Sequence, residues 1–356
     1  MRTTRSRRAA LAVLTGLLYV LGAASAGAQT PSPVVGGETI ASKDLVEAAC
    51  SEGAVTYYTA QSDRDERAII EPFEKQFDCI KVSIISAVTG RLFERVGTEA
   101  IAGKTQADVL IITDVALAQQ LIDRKLVRPW LSPLAPKYPA TAKREGWWYA
   151  ASGSLMYPIY NAQLVQPGDV PQTWNDLLDP KWKGKIATSP ITIGGTAWVQ
   201  YDFMATQLGP DYLKKFSAQD PKLFQSYDPA VLSVARGETL IGVVSALNEY
   251  SARTRESAPV MPIYMPEGTP FTDYPMMLMA NSPHPHAGEL FANWYLSKTA
   301  QTQLVTVRGA YSVRDDVAPA PGNPPLAEAK PWNPGDTQIL KEHDALIRTV
   351  RDMFGH

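Results

Sequence analysis

The chain has 356 residues, with 34 Lys and Arg against 36 Asp and Glu, a formal net charge of −2 at pH 7 and 45% hydrophobic residues. Beyond the first eight residues no basic block stands out from that balance, which excludes nucleic acid and lipid headgroups as electrostatic partners of the rest of the chain. The length exceeds what one ordinary core accommodates, so two lobes are expected.

The amino end reads as an export signal. "MRTTRSRR" carries four arginines and no acid, an uncharged apolar run follows, and Ala26-Gly27-Ala28 offers small residues for cleavage. This pattern predicts a signal peptide over residues 1–28, cut after Ala28, and a periplasmic protein. A membrane anchor is the competing reading, and the apolar run is short for it. Ser6-Arg7-Arg8 leaves both the general and the twin-arginine export routes open. Without those 28 residues, 30 basic side chains face 36 acidic ones, a net charge of −6. No later apolar run is long enough to span a bilayer, so no stable membrane insertion is expected after cleavage.

In chain order, "DLVEAACSEG" predicts a helix that ends before a strand, "AVTYYT" over 54–59. "EPFEKQFDC" ends the next helix, over 64–77, just before strand "IKVSII" over 80–85. Cys50 and Cys79 thus fall at the same edge of a sheet if the strands are neighbours. An exported chain makes a disulfide the leading reading, with two buried thiols as the alternative. A helix over 91–103, strand "ADVLIIT" over 107–113 and a helix over 115–125 complete the series. Strands alternating with amphipathic helices predict an α/β layer with a mostly parallel sheet. Small ligands sit at the carboxyl ends of such strands. The turns there contain Thr59, Gln61 and Ser62, then Ser86, Thr89, Gly90 and Arg91, then Thr113 and Asp114.

"EGWWYAASGSLMYPIYN" over 145–161 lacks that rhythm and predicts an extended crossing between lobes. In "PQTWNDLLDPKWKGKI", Thr173 caps a short helix with Asp176 three residues on, and Pro180 ends it. Trp174 and Trp182 are read as anchors of a second core, against a basic–aromatic nucleic-acid surface as the alternative. Helices over 197–209 and 229–238, strands over 239–246 and 274–281, and a long helix over 285–305 follow. The proline-punctuated 259–270 is a candidate return crossing, and a last helix runs from Asp336 to Asp352.

The order of these pieces resembles the periplasmic solute-binding proteins of ABC importers, in the branch that binds ferric ion, oxyanions or phosphonates. "VTYYTAQ", "AGKTQADVLI", "YPIYNAQLV", "VARGETLIGVV" and "PHAGELFANWYLSKTAQ" carry the likeness along nearly all of the mature chain. The resemblance implies two α/β lobes of the type II binding-protein fold, each a mixed, mostly parallel sheet flanked by helices, joined by two hinge crossings. Residues 29–154 and 263–315 would form lobe 1, residues 155–262 lobe 2, and residues 316–356 a proline-rich spacer and a helix packed on the lobes. It implies no enzyme, no cofactor, and a membrane permease as partner of a monomeric receptor.

Ferric members of that branch use adjacent tyrosines helped by a histidine and a glutamate. At the matching position this chain has Asn248-Glu249-Tyr250, with Ser62 in the place of the histidine and Thr113 in that of the glutamate. Glu249 and Tyr250 would therefore be the metal ligands if the cargo were Fe3+, which is the alternative. The first choice is a small organic carboxylate, phosphonate or phosphate. Thr192, Gly194, Gly195 and Thr196 open one helix, and Thr89, Gly90 and Arg91 another, so each can present N–H and hydroxyl donors to an anion. An ordinary Gly/Thr helix cap is the rival reading of each. Arg91 is expected to grip the anion with its planar fork. Ser226 joins by resemblance, and Tyr274 by its place at a strand start. His284-Pro285-His286 is read as a turn rather than a metal site. A secreted hydrolase is a second alternative, but no histidine stands near a candidate nucleophile.

Overall fold

The structure is a computed structural model that describes residues 31–355, so the expected signal peptide lies outside the described residues. A small hairpin, β1 (Val34–Val35) and β2 (Glu38–Thr39), precedes α1 (Lys43–Glu52). Then β3 (Ala54–Thr59), α2 (Asp63–Gln76), β4 (Lys81–Ser86), α3 (Thr89–Ile101), β5 (Val109–Ile111) and α4 (Val115–Asp123) alternate as expected. Two short strands, β6 (Val127–Arg128) and β7 (Lys143–Arg144), lead to the long β8 (Trp148–Asn161). The next elements are β9 (Ile186–Thr188), α5 (Gly195–Thr206), α6 (Tyr212–Ala218), β10 (Lys222–Leu223), α7 (Tyr227–Ala235) and β11 (Ile241–Ser245). The chain continues through α8 (Ala246–Arg255), β12 (Val260–Pro262), β13 (Thr269–Met279), α9 (Pro285–Tyr295), α10 (Lys298–Arg308), β14 (Pro331–Trp332) and α11 (Asp336–Phe354).

The main sheet has the order β10-β9-β11-β8-β13-β5-β3-β4. At one end β4, β3 and β5 run parallel; at the other β10, β9 and β11 do. These are the sheets of two lobes. Between them β8 and β13 pair antiparallel with each other and with one neighbour on each side. All eleven residues of β13 and all but one of β8 are buried. Central strands covered on both faces read as continuous apolar runs, which is why 145–161 showed no alternation. The return crossing is β13, later than the proline-rich 259–270, and its register shifts between Asp273 and Pro275.

The core follows the layers. One cluster fills the space between the lobe 1 sheet and α2, α9 and α10, around Phe73, Phe291 and Trp294. Another runs from α3 and α4 to Trp174 and Trp198. A third lies under α7 and α8. Trp174 is fully buried and its Nε1–H donates to the Gly268 carbonyl at 3.0 Å. The capping box forms as the sequence implied: Thr173 Oγ1 accepts from the Asp176 N–H, and the Asp176 carboxylate from the Thr173 N–H. The tryptophans are thus scaffold. The helix expected over 285–305 is instead two, because Ser297 breaks it and its Oγ accepts from the Ala300 N–H to start α10.

Cys50 and Cys79 form the disulfide, tying the end of α1 to the start of β4, 29 residues apart. Closing a loop of that length removes freedom from the unfolded chain. Replacing both cysteines by serine is expected to lower stability by about 3 kcal/mol, read as a shift of the urea midpoint under oxidising conditions.

The last helix touches both lobes. It packs on α4 and on α5 and α6. Its His343 ring stacks on Trp198, Nε2 reaches Asp114 Oδ2 at 3.1 Å, and Nδ1 reaches Asp344 Oδ1 at 2.9 Å. Burial pulls the imidazole pKa down, but the hydrogen bond and charge of Asp114, then Asp344, outweigh it and raise the pKa to about 9. A pKa raised in the fold contributes stability that is complete below the unfolded value near 6.5 and is lost as pH climbs through about 9. Thermal melts from pH 6 to pH 10 are expected to fall over that window, and His343→Gln is expected to flatten the fall.

Candidate functional site

A cavity of about 520 Å³ lies at the carboxyl ends of β3 and β4 and opens between the lobes. Five helices start on it. The N-cap residues of α2, α3, α5, α7 and α8 are Ser62, Val88, Gly194, Ser226 and Ser245, and all five line the cavity. None spends its side chain on its own helix, whereas Ser42, Asp114 and Ser297 cap α1, α4 and α10 in the ordinary way. The first turn of a helix leaves N–H groups without partners inside the helix and carries about half a positive charge. Five such ends around one space contribute positive potential to a lining whose charged side chains are Arg64, Arg255 and Arg308 against Asp65, Asp228 and Glu256.

The structure brings together many of the residues read from sequence. Gln61, Ser62, Ser86, Thr89 and Thr113 line the wall of lobe 1. Gly194, Thr196 and Ser226 line that of lobe 2, and Tyr274 comes from the crossing strand. Thr89 Oγ1 and Thr113 Oγ1 are 3.0 Å apart, and Thr89 Oγ1 also accepts from the Thr113 N–H at 3.2 Å. Thr196 Oγ1 meets the Tyr274 hydroxyl at 3.5 Å. Thr59 stands behind the wall, fully buried, with Oγ1 accepting from the Gln61 N–H.

Others are elsewhere, each for a visible reason. Arg91 is exposed and does not line the cavity, because it lies on the outer side of the first turn of α3; Gly90 is not in the lining either. Thr192 lines a separate small recess with Tyr201 and Phe354. Asp114 is committed to capping α4 and to His343. Gly195 sits under the wall, against the Thr113 carbonyl. Glu249 is fully buried, its carboxylate taken by the Arg253 guanidinium and the Tyr157 hydroxyl, and burial raises its pKa. The Tyr250 ring lies on Gly309. The two residues named as ferric ligands therefore do not face the cavity. Among the described residues no three His, Cys, Asp or Glu side chains gather as a metal site. His284 and His286 are tied to Asp108 and Glu52, so that turn is structural.

Sequence reading missed the arginines that do reach the cavity: Arg64, Arg255 and Arg308. Arg64 was legible, two residues past Ser62 in the first turn of α2. Arg308 had no local signal, since it arrives from the far end of α10. Arg255 bonds to Asp65 and to the Val307 carbonyl, both in the opposite lobe. On the other side of the cavity Gly194 and Gly195 press on Thr89 and Thr113. The lobes thus meet at both flanks, with the cavity enclosed between the contacts.

The family model described as bacterial extracellular solute-binding protein matches residues 59–302. The chain belongs to that family. The solute-binding protein is also 26% identical over 265 residues to a periplasmic protein of Salmonella typhimurium provisionally named for 2-aminoethylphosphonate binding, covering 70% of this chain and 76% of that one. Its fold is similar to the periplasmic binding protein AfuA of Actinobacillus pleuropneumoniae with fructose-6-phosphate bound, at a TM-score of 0.74 and 22% identity, over 85% of this chain and 99% of that one. Iron-bound HitA of Pseudomonas aeruginosa has a TM-score of 0.71 and 21% identity, over 83% and 99%. The solute-binding protein is therefore the periplasmic receptor of an ABC importer, a component that binds a small solute and meets a permease, and not a catalyst; the hydrolase reading falls. Among the described residues no helix is long and apolar enough to cross a membrane.

Proposed function

We propose that the solute-binding protein captures a small solute with an anionic head, a carboxylate, phosphonate or phosphate, and hands it to its permease. The observation that carries this reading is the convergence of five helix N-termini on one space, with the cap hydroxyls of Ser62 and Ser226 bonded to no other side chain or backbone group among the described residues. Arg64, which makes no hydrogen bond or ion pair among the described residues, adds a full charge on the lobe 1 side. Anions are stabilised at helix N-termini by oriented N–H donors and by the dipole together. The guest touches both lobes, so the closed state gains contacts the open state lacks, and binding shifts the population toward closure. Lobe 1 is proposed as residues 29–154 and 263–315, lobe 2 as residues 155–262, with cleavage of the leader after Ala28.

The test is a titration of ligand-stripped protein with inorganic phosphate, 2-aminoethylphosphonate, fructose-6-phosphate, citrate and Fe3+. Saturable binding of at least one anion, weakened tenfold or more in Arg64→Ala, is the expected result. Fe3+ binding with a visible tyrosinate band, and no anion bound alone, would replace the reading by the ferric one.

A further inference from the structure

Behind the hinge lies a second cavity of about 540 Å³, on the opposite side of β13 from the cleft. Successive side chains of a strand point to opposite faces. Tyr274 faces the cleft, while Phe271 and Asp273 face this rear space. Its walls are apolar, with Ala142, Val313, Leu326 and Pro331 beside Phe271. Its polar end holds two carboxylates, Asp273 and Asp336.

Asp273 is only 6% exposed. One of its oxygens, Oδ2, accepts a 3.3 Å hydrogen bond from Asn333 Nδ2, and the other, Oδ1, has no partner. A carboxylate offers about four acceptor positions, and leaving them empty in a buried place is costly. Among the described residues no Lys, Arg or His is bonded to Asp273. Arg144 acts on Asp336 but is not bonded to Asp273. Burial first, and then the charge of Asp336, raise the Asp273 carboxyl pKa to about 7. What Oδ1 lacks is a donor, and one that carries positive charge would also offset the repulsion between Asp273 and Asp336.

We propose that the rear cavity is a binding site for a small alkylammonium, its head between Asp273 and Asp336 and its hydrocarbon body on the apolar wall. A bare metal ion does not suit the place. Hard cations need six or more oxygens, and these walls supply mostly carbon. An ammonium needs only a few acceptors, and Phe271 gives its body an aromatic neighbour. The site is independent of the cargo proposed for the cleft, because it uses other residues on the other face of the strand.

The experiment titrates the full-length mature protein with n-butylammonium chloride and follows the methyl resonances of Leu326 and Val313. Saturating shifts at those methyls, absent with n-butanol and weakened at least tenfold in Asp273→Asn, are the expected result. No saturating shift, an equal response to n-butanol, or binding unchanged in a folded Asp273→Asn protein overturns the proposal. Should that variant not fold, the wild-type comparison of n-butylammonium with n-butanol decides by itself. A response to both or to neither overturns the proposal, and a response to the ammonium alone at Leu326 and Val313 supports it.

Discussion

Gly195→Ala is expected to leave each lobe folded and to weaken cargo binding at least a hundredfold, about 2.7 kcal/mol. A Cβ built on Gly195 would lie 1.9 Å from the Thr113 carbonyl oxygen and 2.8 Å from the Asp114 Cα. Both atoms belong to the backbone of the facing lobe, so no rotamer change relieves the clash. The cheapest relief is for the lobes to part. Gly195 is the first residue of α5, where alanine is at least as good a helix former. The open state therefore keeps its stability, and the closed state bears the loss. Two measurements check this. With a saturating anion the radius of gyration by X-ray scattering should stay larger in the variant than in the wild type, and titration with an anion that binds the wild type should show the weaker affinity. Equal affinities would mean that capture does not require the lobes to meet at Thr113.

Arg308→Met is expected to cost about 3–5 kcal/mol at neutral pH. Arg308 and Glu66 form a buried pair at 2.8 Å, with Glu66 fully buried and Arg308 3% exposed. The Glu66 pKa already stands above the ordinary carboxylate range, because burial raises it more than Arg308 and the Tyr295 and Tyr57 hydroxyls lower it. Without the guanidinium the carboxyl pKa rises further. An acid whose folded pKa is raised loses stability as pH climbs from the unfolded value through the folded one. The deficit of the variant should thus be small near pH 4 and complete at pH 8, by urea unfolding at both values. The double variant Glu66→Gln, Arg308→Met should recover most of it, since it buries no unpaired charge. A deficit that does not change with pH would show that lost packing, not the stranded carboxylate, is the cause.

Much of the fold was legible because local rules and the tertiary answer agree. The alternation of β-branched strands with amphipathic helices predicted the parallel set of lobe 1, and Thr173 and Asp176 predicted a capping box that forms. The turns that follow β3 and β4 held hydroxyls that do line the cavity, since chain direction places them there. Side-chain direction was not legible. Arg91 and Arg64 occupy comparable first turns, yet only Arg64 faces inward. Glu249 and Tyr250 are adjacent in sequence and buried, but Arg253, Tyr157 and Gly309 engage them, and those partners come from 4 to 92 residues away. The ends of long helices, such as Arg308, enter the site from a distance that no window of sequence spans.

The two crossings, β8 and β13, are bonded to each other as neighbours in one sheet. A pair of strands locked side by side cannot swivel independently, so the lobes swing as calliper arms about a single pin. The gap between Thr89 and Ser226 then takes one defined width at each angle.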